Sequence, residues 1–370
     1  MRALNDDEGA SVTHRLPGES RGDAPAARRR VSRKVVLCLD TNYLSNLAKA
    51  RSGLSLPAEA IPLWQELFSA LEDAVWGDRI VCPGFDVQIE EAEFNDRIAL
   101  PVWTVMRALS LGLQFHSHEG IIVRQVEDAA YRFLGRELPG RLPWENALQG
   151  DPDLPATELS RWARERPFVP PLHPPEVVAR RRAEKERRAS SLGGVVADGN
   201  WGAAGSRVES MKRSLLAQWL ARDAFRDLLE TARADRPPQD PERWQTVQEY
   251  AGLIGRLEEA GLGRARMPEF LASEELLGIP YVDIYCHVAL AAARNAGEAR
   301  PLRGSDESDR RIVSALLPCC DILATDRFMK HILVDLLHYD EEYGCSIFSG
   351  RLDDVRSLTQ AVRALPLPSA

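Results

Sequence analysis

Two short apolar runs, Val35-Val-Leu-Cys-Leu39 and Ile322-Leu-Ala-Thr325, stand at opposite ends of the chain, and each is followed at once by an aspartate. Runs that are apolar without alternation fit strands buried on both faces, as in parallel sheets covered by helices. The surroundings agree. After Asp40, Thr41 and Asn42 offer capping oxygens for a helix through Tyr43, Leu44, Leu47 and Ala50. Leu63, Leu67, Leu71 and Val75 then form one stripe after Pro62, and Ile80-Val-Cys-Pro83 reads as a short strand. The segment from Asp86 to Leu100 reads as a helix carrying Glu90, Glu91 and Glu93. Near the other end, helices are expected at Ile284–Ala293, at Asp306–Leu317 (begun by Ser305 or Asp306, ended by Pro318) and at Phe328–Leu337. A last strand at Cys345–Phe348 and a closing helix at Leu352–Leu365 follow. The expectation is an α/β fold with a central parallel sheet, drawn from the two ends of the chain.

Between those ends the pattern changes. From 101 to 275 only amphipathic helical segments and loops are legible, among them Val208, Met211, Leu215 and Trp219, and Trp244, Val247, Ala251 and Ile254. A Pro-rich stretch (Pro167–Pro175), a basic segment (Val177–Arg188) and a Gly-rich stretch (Gly193–Gly205) make 167–205 the expected flexible part. The organisation is thus a disordered leader (1–33), the first part of a core (34–100), a helical insertion (101–275) and the second part of the core (276–370). The leader has no apolar signal core, and no run approaches the roughly 20 apolar residues of a membrane span, so no membrane is expected. Cys38, Cys82, Cys286, Cys319, Cys320 and Cys345 form no C-x-x-C pair, which fits a reducing cytoplasm and neither zinc nor disulfides.

The chemistry lies in the acids. In open parallel sheets ligands bind beyond the carboxyl ends of the strands, so Asp40 and Asp326 are expected to face a common place. Glu90 or Glu91 follows a third strand, and Asp309, with Asp306 one turn earlier, opens the helix before the Asp326 strand. Each has a plain structural reading: a helix cap for Asp40, solvated acids for the glutamates, favourable helix-dipole positions for Asp306 and Asp309, a turn for Asp326. Together, however, converging carboxylates without basic partners repel one another and call for cations. Oxygen ligands with few histidines suit Mg²⁺ or Mn²⁺, which can acidify a bound water and neutralise phosphate charge. His116 and His118 form an H-x-H that reads as decoration of a helix end, and Asp283 and His287 as a buried polar pair. Arg180, Arg181, Arg182, Lys185, Arg187 and Arg188 form a solvated basic face or a phosphate-binding arm. The net charge of −8 leaves any basic surface local.

Leu39-Asp-Thr-Asn-Tyr-Leu44 resembles the opening motif of PIN-domain nucleases, and Leu317-Pro-Cys-Cys-Asp-Ile-Leu-Ala-Thr-Asp-Arg-Phe-Met329 resembles the family's late Thr-Asp segment. Cys82-Pro83 followed by Glu90-Glu91-Ala92 is similar to the segment that supplies its early glutamate, and Asp309 matches its third acid. The resemblance covers roughly 33–98 and 275–365; the helical stretch between has no counterpart in a minimal PIN domain. It implies a three-layer PIN-like fold and a Mg²⁺- or Mn²⁺-dependent phosphodiesterase acting on RNA. Asp40, Glu91, Asp309 and Asp326 would be metal ligands and catalytic residues, with Glu90 and Asp306 as alternates and Asn42 and Thr325 as accessories. A metal-dependent endoribonuclease is expected, with toxin, defence effector and RNA-processing enzyme all open, as are self-association and a protein regulator. The rivals are a non-catalytic PIN-like module that binds RNA or protein, and a nuclease acting on DNA.

Overall fold

The computed structural model describes residues 33–136, 143–165, 173–197, 204–220, 252–263 apart from 254, 265–299 and 303–366. Four strands form one parallel sheet: β1 (Val35–Leu39), β2 (Ile80–Val81), β3 (Ile322–Thr325) and β4 (Ser346–Ser349), in the order β2-β1-β3-β4. The central pair, β1 and β3, comes from the two distant ends of the chain, and Leu39 pairs with Ala324. Val36, Leu37, Cys38, Leu39, Leu323 and Ala324 are all fully buried, as their unbroken apolar runs predict. Burial of each such Val or Leu contributes roughly 1.5–3 kcal/mol.

Helices surround the sheet: α1 (Thr41–Ser52), α2 (Ile61–Trp76), α3 (Asp86–Glu93), α4 (Asp96–Ser110), α5 (His118–Phe133), α6 (Ala156–Glu165), α7 (Pro175–Ala197), α8 (Ala204–Leu220), α9 (Pro280–Ala299), α10 (Gly304–Leu316), α11 (Arg327–Lys330) and α12 (Leu352–Arg363). Helix α1 packs on α4, and α2 packs on α12, so N- and C-terminal segments share one core. Helix α10 lies against α3, α5, α7 and α9.

Four expectations need correction. The single helix expected over Asp86–Leu100 is two, because Asn95 takes extended backbone and its side chain accepts from Arg97 N (3.3 Å), starting α4 afresh. Helix α4 also runs across residue 101 to pack on α1. The helix expected over Phe328–Leu337 is one short turn, α11, continued by a wider π-helical turn at His331–Leu336. Finally, α7 continues through Gly193 and Gly194 to Ala197, where a glycine-rich loop was expected.

Among the described residues, 101–275 contributes no strand beyond isolated bridges such as Phe115 with Leu148. Val208, Met211 and Leu215 on α8 pack against the core and Leu216 is buried within it. Lys212, on the same helix, pairs with Asp283 of α9 at 2.5 Å. The side chain of Trp219, all of Trp244, the leader 1–32 and parts of 167–205 lie outside the described residues. Among those described, no helix is long and apolar enough to cross a membrane.

Candidate functional site

The parallel pairing of β1 with β3 sets Asp40 and Asp326 at the carboxyl ends of adjacent strands. Each aspartate also caps the helix that follows it. Asp40 Oδ1 accepts from Tyr43 N (2.9 Å) at the start of α1, and Asp326 Oδ1 accepts from Met329 N (2.6 Å) at the start of α11. The capping reading and the site reading are therefore compatible, because a cap occupies one carboxylate oxygen and orients the other. Asp40 Oδ2 is buried and accepts no hydrogen bond of ordinary geometry. Asn42, beside it, is exposed at the first turn of α1.

Glu91 and Glu90 sit on α3, which is fixed to the sheet by Gln88. The Gln88 amide donates to Leu39 O, the last carbonyl of β1, and its Oε1 accepts from Phe85 N (3.0 Å). Sequence reasoning passed over Gln88; its signal was a glutamine three residues into a helix, where it can reach back to cap the first turn. The two glutamates part company. Glu90 Oε2 pairs with Arg311 (3.1 Å), whereas Glu91 Oε1 pairs with Lys185 of α7 (3.0 Å). Asp306 and Asp309 differ in the same way. Both are buried, but Asp306 Oδ2 accepts from Arg303 N (2.7 Å) and so closes the first turn of α10, while Asp309 lies further along the helix.

Electrostatics tie Asp40, Glu91, Asp309 and Asp326 into one cluster. Burial raises the Asp40 pKa from 3.8 to about 7; the Tyr43 N–H pulls it back, and the neighbouring Asp326 and Glu91 charges push it further. The Thr325 hydroxyl lies close enough to oppose the rise, although it makes no hydrogen bond of ordinary geometry. Asp309 is raised well above its ordinary value, first by burial and then by Glu91, Asp40, Asp326 and Asp306. Four acids thus feel one another from four separate elements. Among the described residues, no three histidine, cysteine or acidic side chains already stand close enough together to hold an ion.

A second polar cluster joins α3, α5, α9 and α10 through Asp86, Glu90, His118, Tyr281 and Arg311. His118, expected to decorate a helix end, is buried at the start of α5 and bonds Tyr281 OH of α9 (2.6 Å). Asp86 Oδ2 accepts from His118 N (3.1 Å), and Arg311 lies 3.4 Å from His118 Nδ1. Burial raises Asp86 to about 8, with Glu119 and Glu90 adding to the rise and Arg311 opposing it. His116 bonds Glu145 O (3.0 Å). Neither histidine joins the carboxylate cluster. Asp283 and His287 form the expected pair (3.4 Å), joined by Lys212; despite burial, these partners hold the Asp283 carboxyl below its ordinary range.

The basic segment is divided between two faces. Arg180, Arg182 and Arg187 are exposed, although Arg182 donates to Phe94 O, and the Arg188 side chain lies outside the described residues. Arg181 approaches Glu93 (3.9 Å), which also accepts from His173 (2.8 Å). Lys185 turns inward to Glu91. No family model, curated protein or solved structure matches the chain.

Proposed function

We propose that the chain is a PIN-like metal-dependent nuclease that hydrolyses RNA phosphodiester bonds, with Asp40, Glu91, Asp309 and Asp326 as the metal-holding set. The observation that carries this reading is the buried, unpartnered Asp40 Oδ2 in electrostatic contact with three further acids. A buried carboxylate oxygen without a partner costs on the order of 1–3 kcal/mol or more, and three neighbouring acids add to that cost. A divalent cation offsets both, and an all-oxygen donor set suits Mg²⁺ or Mn²⁺.

When bound, such ions supply an acidified water and charge neutralisation at the phosphate. The chain's own residues do the rest. The N-caps at Asp40 and Asp326 hold each carboxylate in a fixed direction, and Gln88 fixes α3 to the end of β1 so that Glu91 faces the cluster. Thr325 stands beside Asp40 as an accessory hydroxyl, and Asn42 is the second. Glu90 and Asp306 are assigned structural roles, since Arg311 and the Arg303 N–H engage them. RNA as substrate rests on the resemblance of the Leu39–Leu44 and Leu317–Met329 segments to PIN nucleases, and on the exposed Arg180, Arg182 and Arg187. A reducing cytoplasm fits the six cysteines, none of which is in a disulfide and five of which are buried.

The test is cleavage of a generic single-stranded RNA in Mn²⁺ by the full chain, compared with Asp40→Asn and with single-stranded DNA of the same sequence. RNA cleavage lost in the variant supports the reading. Preference for DNA moves the substrate assignment, and binding without cleavage returns the chain to a non-catalytic module.

A further inference from the structure

Helix α7 lies along α10, the helix that carries Asp309, and reaches through its basic side chains to α3, the one that carries Glu91. The fit at α10 is close. A Cβ at Gly304 would stand 2.7 Å from Glu186 Oε1, so any larger residue there would move the Glu186 carboxylate aside from the first turn of α10, where the helix dipole favours it. At α3, the Lys185 ammonium stands 3.0 Å from Glu91 Oε1 and 5.1 Å from the centre of the Phe94 ring, while Arg182 holds the Phe94 carbonyl. Lys185 and Glu91 are 14% and 16% exposed, so their charges are largely withdrawn from water.

From this geometry we infer that Lys185 is a built-in cation that competes with the metal for Glu91, which makes α7 an autoinhibitory strap over the carboxylate cluster. The inference rests on the metal-site reading above and deepens it. An ammonium and a divalent ion cannot share one carboxylate oxygen at close range, because the two cations repel each other while dividing the same lone pairs. Lys185 places one positive charge against the cluster through its contact with Glu91 Oε1. A metal that takes Glu91 Oε1 then requires the Lys185 ammonium to leave that oxygen. Once it does, α7 loses its shortest ion pair to α3 and keeps the Arg181–Glu93 and Arg182–Phe94 contacts.

The experiment measures Mn²⁺ binding to the full chain by electron paramagnetic resonance, without any substrate. Lys185→Gln should tighten the site about tenfold, the effect of removing one charge-assisted hydrogen bond from the competing state, and Lys185→Arg should leave it near the wild-type value. Equal affinity in Lys185→Gln and wild type, with binding abolished by Asp326→Asn, overturns the strap and leaves the metal site standing. No saturable binding in either protein overturns both. Should Lys185→Gln fail to fold, acetylation of Lys185 in the wild type reads the same equilibrium: it should accelerate several-fold on adding Mn²⁺, and an unchanged rate overturns the inference.

Discussion

Replacing Asp40 by Asn should stabilise the metal-free protein, and by an amount that depends on pH. Asp40 is 1% exposed, and its pKa is raised from 3.8 to about 7, chiefly by burial. A group raised in this way binds its proton more tightly folded than unfolded. Its contribution to stability is fully present below about pH 4 and is lost as the pH rises through about 7. A rise of that size corresponds to about 4 kcal/mol, at about 1.36 kcal/mol for each tenfold change in proton affinity. Asparagine carries no charge at either pH, and its side-chain oxygen can still accept from Tyr43 N, so the cap on α1 survives. The variant should therefore match the wild type at about pH 4 and exceed it by about 2–4 kcal/mol at about pH 8. Urea unfolding in EDTA at the two pH values measures the difference. Equal destabilisation at both would mean that Asp40 acts through its contacts alone, and the argument from buried charge would be wrong.

Other consequences follow from the division of labour among the acids. Asp326→Asn should abolish RNA cleavage while the far-ultraviolet dichroism and unfolding midpoint hold or rise slightly; loss of folding would make Asp326 structural. Glu91→Gln should remove cleavage and lose about 1–3 kcal/mol by leaving the largely buried Lys185 ammonium without its carboxylate, whereas Glu90→Gln should keep cleavage and lose no more than that by weakening the more exposed Arg311 pair; cleavage lost in Glu90→Gln and kept in Glu91→Gln exchanges the two assignments. Tyr281→Phe should cost about 1–2 kcal/mol by stripping His118 Nε2 of its partner, and an unchanged unfolding midpoint would assign that histidine no structural weight.

What could be read from the sequence was local. The apolar runs of β1 and β3 and their closing aspartates needed only neighbouring residues, and so did the strand-then-helix alternation at each end. The choice between Glu90 and Glu91 could not be made that way, because Arg311 lies 221 positions along the chain from Glu90 and Lys185 lies 94 from Glu91. Neither spacing has a periodic signature. The basic segment reads as a solvated face or a phosphate-binding arm, yet Lys185 turns inward to Glu91 while Arg180 and Arg187 stay exposed. Gly193 and Gly194 suggested a loop on propensity, and α7 overrides a penalty of about 1 kcal/mol for each. The break at Asn95 was legible in principle as an N-cap, but the helix-forming residues on both sides concealed it.

The central claim is that Asp40, Glu91, Asp309 and Asp326 close on a divalent ion, and a crystal of the full chain soaked in Mn²⁺ tests it most directly. The expected result is an anomalous peak at the carboxyl ends of β1 and β3, with Asp40 Oδ2 and Asp326 among its ligands and Lys185 drawn away from Glu91. A peak elsewhere, or none at this cluster with the metal bound in solution, would contradict the account.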